Sequence, residues 1–254
     1  MSDVVAHIAN AVLYEGHLLW PYRQSALKNR QRWTFGGVYP PAYAHATSER
    51  SRVFCECLAE GEEPRFGVEV RFLQLDGEAV ERRVGVGEIE DPPGRVEATT
   101  EELRAGLHRL TVSIENTSPW AGSDRNEAMR HTHASAHAVL TVEGGAFLSS
   151  LDPPEPLHED GLWPVLVGEE GDRSTVLASP IILPDYPRVA PESPGDFFDG
   201  CEIDQLLVLN ILALTDEEKR EIRAGDPRAR AILERTEAMS PEELARLHGT
   251  WRNP

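Results

Sequence analysis

Apolar and polar residues alternate with a period of two over much of the chain between residues 52 and 142. Successive side chains of a β-strand point to opposite faces, so this alternation predicts strands with one buried and one exposed face. Turn-forming residues separate the alternating segments, which favours an antiparallel sandwich or barrel. The predicted strands cover residues 52–58, 65–75, 80–89, 106–116 and 135–142.

Two short motifs refine the prediction for this β-rich region. Asp76 and Gly77 separate two alternating segments, and an Asp-Gly pair in that position predicts a tight hairpin turn. Residues 99–107 begin with a capping-box pattern, from Thr99 to Glu102, which predicts one helical turn. We therefore expect mostly antiparallel strands, with one helical interruption.

Helical patterns lie at the two ends of the chain. Residues 4–13 predict a short helix with Asp3 as its N-cap. Near the other end, the Leu-rich residues 204–214 contain few β-branched residues and predict a buried helix. Capping residues predict three further short helices, which begin near Thr215, Asp226 and Ser240.

A Pro-rich stretch at residues 181–200 separates the β-rich and helical parts and holds four prolines and three aromatic residues. Proline fixes φ and removes a backbone donor, which excludes a helix or a central strand. A disordered linker would be poorer in aromatic residues. We therefore predict an ordered loop that buries Tyr186, Phe197 and Phe198 against the β-rich body, and long ordered loops often carry function.

Together these patterns predict an α+β protein. An antiparallel β-sandwich-like body spans residues 1–180, and the Pro-rich loop spans residues 181–200. A C-terminal helical segment of residues 201–254 is expected to pack on the body. Hydrophobic residues make up 40% of the 254 residues, which is enough for a sizeable core.

The charge of the chain restricts its partners and its location. A net charge of −18 would repel the phosphates of nucleic acids and of anionic membranes. No segment approaches the roughly 20 apolar residues that a membrane-spanning helix needs. The first residues lack the basic region of a signal peptide, and the three cysteines cannot all pair. We therefore expect a cytoplasmic protein with no nucleic-acid partner and no membrane span.

Basic charge is concentrated near the N-terminus, although the whole chain is acidic. Residues 1–50 hold five Lys or Arg and three Asp or Glu. Interleaved arginines and aromatic residues are typical of interface hot spots, so this basic-aromatic segment predicts a contact surface for a protein partner. The alternative is a solvated loop whose arginines pair with the protein's own acids. The residues of this segment are Trp20, Tyr22, Arg23, Lys28, Arg30, Arg32 and Trp33.

A histidine cluster is the sharpest candidate for metal chemistry, because His131, His133 and His137 fall within seven residues. On one strand these side chains would share a face, and imidazole is a suitable ligand for Zn, Ni or Fe. The alternative is that the three residues are surface or hydrogen-bonded histidines without a metal. Candidates for a further ligand are Asp124, Glu127 and Cys201.

Four segments carry a family resemblance: residues 13–23 (LYEGHLLWPYR), 26–36 (ALKNRQRWTFG), 181–200 and 202–204 (EID). They resemble an uncharacterised family that is associated with gene clusters for high-affinity, actinobacterial-type NiFe hydrogenases. The resemblance implies a role beside a hydrogenase, in its assembly. It supplies no catalytic residue that could be assigned to a position in this chain.

We therefore expect a non-catalytic accessory or assembly protein that contacts a NiFe hydrogenase or its maturation machinery. The sequence holds no P-loop, no Gly-x-Ser-x-Gly and no His-Glu-x-x-His motif. Two alternatives stay open. The first is a metal-binding protein or metalloenzyme that uses the histidine cluster, and the second is a structural subunit of a larger complex.

Charge reversal tests the basic-aromatic segment. The double substitution Arg23→Glu and Arg30→Glu should slow association with an acidic protein partner and weaken the salt dependence of the rate, because it removes charge steering. Thermal stability should change little. Association rates with purified hydrogenase at low and high salt check the expectation. A double variant that unfolds would show instead that both arginines are buried in internal ion pairs.

Overall fold

The computed structural model describes most of the chain, and it contains five helices and eleven strands in that part. The described residues are 3–14, 36–76, 78–187, 215–224 and 227–238. The helices are α1 (Asp3–Tyr14), α2 (Pro41–Thr47), α3 (Arg125–Arg130), α4 (Asp216–Ala224) and α5 (Pro227–Ala238). The strands are β1 (Arg52–Glu60), β2 (Arg65–Asp76), β3 (Glu78–Val84), β4 (Gly87–Ile89), β5 (Gly94–Arg104), β6 (Leu107–Asn116), β7 (Ala134–Glu143), β8 (Ala146–Phe147), β9 (Glu159–Asp160), β10 (Trp163–Leu166) and β11 (Thr175–Ser179).

The chain divides into two compact units. The first combines residues 1–13 with 34–188, and the second combines residues 14–33 with 189–254. Both sheets belong to the first unit, whereas the described part of the second unit contains α4 and α5. The predicted division of the chain at residues 180 and 200 stays a prediction.

The first unit is built from two antiparallel sheets. One sheet has the strand order β4-β5-β6-β1-β8, with β9 also paired to β1, and the other has the order β10-β11-β7-β2-β3. One core of buried side chains joins them, with Cys55 and Val112 from the first sheet and Phe72 and Leu140 from the second. This arrangement confirms the predicted α+β fold with an antiparallel β-sandwich-like body.

Strand β1 shows how the alternation of residue types becomes a buried face. Val53, Cys55 and Cys57 are buried in the core, whereas Phe54 and Glu56 between them are only partly buried. A hydrogen bond with Cys55, together with burial, raises the pKa of the Cys57 thiol well above its ordinary value. Both cysteines are buried and pack as small apolar core residues, and Cys57 is held in its thiol form.

Residues 80–89 do not form the single predicted strand. Strand β3 ends at Val84 on the edge of the second sheet, and β4 begins at Gly87 on the edge of the first sheet. Gly87 has a φ of 134°, a conformation that residues with a side chain rarely adopt. The glycine lets the chain leave one sheet and enter the other.

The helical turn predicted for residues 99–107 is wrong. Strand β5 continues to Arg104, and Gly106, with a φ of 74°, closes a tight turn into β6. Thr99 and Thr100 lie opposite residues of β6 in an antiparallel ladder. Pairing with the neighbouring strand outweighs the local capping signal, and β-branched threonine suits a strand.

Several local predictions are confirmed. Asp76 and Glu78 are directly opposite each other at the end of the β2-β3 hairpin, while Gly77 lies outside the described residues. The N-terminal helix and two of the C-terminal helices begin near their predicted caps. The helices predicted at 204–214 and after Ser240 lie outside the described residues.

Within the described ranges, every helix is too short or too polar to cross a bilayer.

The first part of the Pro-rich loop is held against the sandwich by two residues. The carboxylate of Asp185 accepts hydrogen bonds from the Leu166 amide at 2.9 Å and the Ser149 hydroxyl at 2.5 Å. The Tyr186 amide donates to the Leu166 carbonyl oxygen at 2.7 Å, and its half-buried side chain packs against the core. The other two predicted anchors, Phe197 and Phe198, lie outside the described residues.

Helix α1 covers the outer face of the second sheet. Its apolar residues recur every three or four positions, which places them on one side of a helix. They pack against apolar side chains of β7, β10 and β11 and of the segment that follows β10, and form a second core. This core contains Val5, Ile8, Ala9, Val12, Val139, Val165, Val167 and Leu177.

Truncation of one buried residue tests the packing of α1. Ile8 is only 5% exposed, so Ile8→Ala should lower the free energy of unfolding by about 2–5 kcal/mol. Val4 on the same helix is 40% exposed, and Val4→Ala should change it by less than about 0.5 kcal/mol. Urea denaturation of both variants checks the contrast. Equal effects would show that the helix does not pack through this face.

Candidate functional site

The three predicted metal ligands lie in three different surroundings. His131 follows the last residue of α3, His133 precedes β7, and His137 lies within β7. His133 and His137 are fully buried, whereas His131 is half-buried.

His137 lies on the side of the second sheet that α1 covers. Its Nδ1 donates a hydrogen bond to the Ser135 carbonyl oxygen at 3.0 Å, since a carbonyl can only accept. The buried Nε2 therefore carries a lone pair, and it has no hydrogen-bond partner among the described residues. Burial lowers the pKa of His137 to about 4, so the ring is neutral near pH 7.

Arg71, directly opposite His137 on β2, is the largest buried polar side chain beside it. Its Nη2 and Nε donate to Glu81 at 2.8 and 3.0 Å, and Nη2 also donates to Asn10 of α1. Burial alone would raise the pKa of Glu81, but hydrogen bonds from Arg83 and Arg71 lower it. Arg71 therefore links β2 to β3 through its ion pair with Glu81, and to α1 through its hydrogen bond to Asn10.

His133 lies on the opposite side of the second sheet, between the two sheets. Its ring contacts Phe72 with a centroid distance of 4.7 Å, and Nε2 donates to the Pro92 carbonyl oxygen at 2.8 Å. Burial lowers its pKa. A Cβ on Gly94 would lie 2.4 Å from Cε1 of this ring, so only glycine fits there. His133 thus fixes the turn between β4 and β5 to the second sheet.

A β-bulge in β7 explains why the predicted shared face is wrong. Arg71 pairs with His137 and Leu73 pairs with Ala134, so two residues of β7 lie opposite the single residue between Arg71 and Leu73. Ser135, inside the bulge, has a positive φ of 53°. One extra residue shifts the alternation by one position, which moves the side chains before and after it to opposite faces.

The further metal ligands that the sequence suggested are also used differently. Asp124 accepts a hydrogen bond from the Glu127 amide at 2.9 Å and caps α3, and the Glu127 carboxylate lies 3.5 Å from Arg130. Cys201 lies outside the described residues. In the ranges that the structure describes, no three His, Cys, Asp or Glu side chains are grouped to hold a metal ion. The described residues therefore give no support to the metal-site hypothesis.

The loop after β6 is organised by one buried amide side chain. Asn116 Nδ2 donates to the carbonyl oxygens of Val38 and His131 at 2.9 and 2.7 Å. Its Oδ1 accepts from the Ser118 amide at 2.9 Å. The Ser118 hydroxyl in turn accepts from the Trp120 amide at 3.3 Å. These bonds hold the segment before α2, the loop and the end of α3 in one fixed arrangement.

This arrangement builds an aromatic row from Tyr39, Tyr43, Trp120 and His131. Successive ring centroids are 5.5, 6.1 and 5.5 Å apart, and the last pair is stacked with an interplanar angle of 24°. A Cβ on Gly122 would come within 2.4 Å of the Trp120 indole, so the loop backbone supports the ring from below. The two tyrosines are buried, while Trp120 and His131 are half-buried.

The Tyr39 end of the aromatic row is bordered by charged groups. Arg125 donates to the Tyr39 hydroxyl at 3.2 Å and lies 3.4 Å from Glu49. Burial lowers the pKa of Arg125, but the nearby Tyr39 and Glu49 more than offset this and raise it. The row thus combines a half-buried tryptophan with an arginine at its Tyr39 end, and both residue types are enriched in interface hot spots. The row is therefore a candidate contact site for a protein.

Sequence reasoning found His131 but missed the rest of the row. The four aromatic residues come from α2, the segment before it, the loop after β6 and the end of α3, so no local pattern joins them. The two tryptophans and the arginines of the predicted basic-aromatic segment, residues 20–33, lie outside the described residues. The interface predicted there stays a prediction.

The sequence matches no known protein-family model and no curated protein.

Acid titration tests the buried state of His137. An unfolded histidine binds its proton near pH 6.5, whereas folded His137 does so only near pH 4. The unfolded chain therefore gains a proton first as pH falls, and the protein loses about 3 kcal/mol of stability between these values. The His137→Gln variant should not show this loss of stability between pH 6.5 and pH 4. His45 is exposed, so the His45→Gln variant should still show the loss. Urea denaturation at pH 7.5, 6, 5 and 4.5 measures both.

Proposed function

We propose that this chain is a non-catalytic accessory or assembly protein that acts by contact with a NiFe hydrogenase or its maturation machinery. The family resemblance suggests the client. The observation that supports contact is the half-buried Trp120, held by Gly122 and stacked on His131. A preorganised aromatic anchor loses little side-chain entropy when a partner covers it.

The surroundings of Trp120 suit the centre of a protein interface. The exposed loop residues from Ala121 to Asp124 follow Trp120 in the chain, and Arg125 with Glu49 supplies polar groups at the Tyr39 end of the row. Interfaces typically combine such an apolar centre with a polar, solvated edge. His133 supports the same surface from the interior of the protein, because its backbone pairs with that of Val38 in the segment before α2.

The internal roles of the histidines also favour a structural over a chemical use of this region. His133 holds a turn to the second sheet, and His137 lies beside the buried Arg71 pair. Both rings are pushed toward the neutral state by burial, with nearby groups that fix their orientation. They stabilise the framework on which the aromatic row sits.

Substitution of Trp120 tests the proposed contact. Trp120→Ala should weaken binding to purified NiFe hydrogenase, or to its isolated large subunit, by about 2 kcal/mol or more, which is roughly 30-fold. Trp163 is also half-buried but lies on β10 in the second sheet, so Trp163→Ala is the matched control. Titration by fluorescence anisotropy gives the dissociation constants, with circular dichroism to verify folding.

The possible outcomes test two hypotheses separately: that the client is a hydrogenase, and that the aromatic row is the contact site. Absence of binding by the wild-type chain would refute the hydrogenase client. Binding that is equally strong in wild type, Trp120→Ala and Trp163→Ala would retain the client but exclude the aromatic row as the contact site.

A further inference from the structure

Strand β5 offers a long open edge of the first sheet. On one side it pairs with β6 from Gly94 to Arg104, with an irregularity at Leu103. On the other side, β4 covers only Gly94, Arg95 and Val96. Beyond that point, no strand in the described part of the chain pairs with residues 97–104, which we call the β5 edge.

The β5 edge is also exposed to solvent. Glu97, Thr99, Thr100, Glu101 and Glu102 are all exposed to solvent. In an edge strand, alternate backbone amides and carbonyls point away from the neighbouring strand and offer unused hydrogen bonds. The eight residues span about 26 Å, the length of an ordinary strand.

The charge at the β5 edge is acidic and only partly neutralised. Glu97 and Glu101 lie 3.6 Å from Arg95 and Arg109, yet their side chains are 55% and 67% exposed. Both arginines are also close to other acids: Arg95 is 2.7 Å from Glu88, and Arg109 is 3.6 Å from a carboxylate of β1. Arg104, at the end of the edge, pairs with a glutamate in the segment before β9. Acidic charge therefore exceeds basic charge along the edge.

We propose that the β5 edge binds an extended basic segment of a partner protein, which adds to the first sheet as an extra strand. Backbone hydrogen bonds supply affinity in this mode, and side chains of alternate residues supply selectivity. Lys or Arg residues on one face of the added strand would lie opposite Glu97 and Glu101, which share a face of β5. Cross-strand pairs of opposite charge stabilise such an arrangement.

The same charges select against a second copy of this chain. Edge-to-edge pairing of two β5 strands would bring glutamates opposite glutamates, and like charges directly across a sheet are destabilising. Glutamate at an edge therefore blocks self-association, whereas it attracts a basic strand. This proposal does not depend on which protein is the client, or on the aromatic row.

A pair of peptides tests whether backbone pairing occurs. The first is a short, fluorescently labelled peptide of alternating Lys and Thr, and the second has the same sequence with alternate amides N-methylated. Fluorescence anisotropy with the full-length chain at physiological salt should give at least tenfold weaker binding for the N-methylated peptide. Hydrogen exchange should show protection of residues 97–104 by the first peptide. Equal affinity of the two peptides would show mere charge attraction and overturn the proposal.

Matched charge variants test the site. Glu97→Lys with Glu101→Lys should weaken binding of the first peptide at least tenfold, since it reverses the charge on the face of the β5 edge that meets the lysines. Asp152→Lys with Glu169→Lys changes the net charge equally at exposed positions outside β5, and should weaken it less than threefold. Equal losses in both double variants, or protection at a different strand, would contradict the assignment. Dimerisation of the wild-type chain through residues 97–104, detected by sedimentation and hydrogen exchange, would also contradict it.

Discussion

One extra residue in β7 sets the arrangement of much of the first unit. The bulge at Ser135 directs His133 toward the core between the sheets and His137 toward α1. The Ser135 hydroxyl also donates to the Val12 carbonyl oxygen at 3.0 Å, near the end of that helix. The same irregularity therefore ties the strand to both of its neighbouring layers. A regular strand would place both histidines on one face and leave one layer without its polar contact.

Buried polar side chains supply the specific contacts that apolar packing alone would not fix. Arg71 links β3 to α1, and Asn116 links the end of β6 to the segments before α2 and after α3. Each of these residues satisfies several partners at once, so loss of either would leave groups unpaired in the interior. The aromatic row depends on the second of these contacts, because Asn116 sets the course of the loop that carries Trp120.

The sequence predicts those features whose signals are local. Alternation in residues 52–58 predicts the buried face of β1, and the Asp76-Gly77 pair predicts the hairpin that follows β2. The strand break at Gly87 and the bulge at Ser135 depend on pairing with distant strands, which no local pattern encodes. For the same reason the histidine spacing suggested a shared face that does not exist, and the aromatic row was not predicted.

The packing of α1 has a consequence for how the chain is made. The helix ends at Tyr14, but its partners in β11 begin at Thr175, about 160 residues later. At roughly 5–20 residues per second, a ribosome needs about 8–30 s to supply them. Until β11 is made, the apolar side of α1 lacks part of its native cover, although Val139 of β7 is synthesised earlier. Newly synthesised chains therefore expose, for a time, apolar surface that the folded first unit buries.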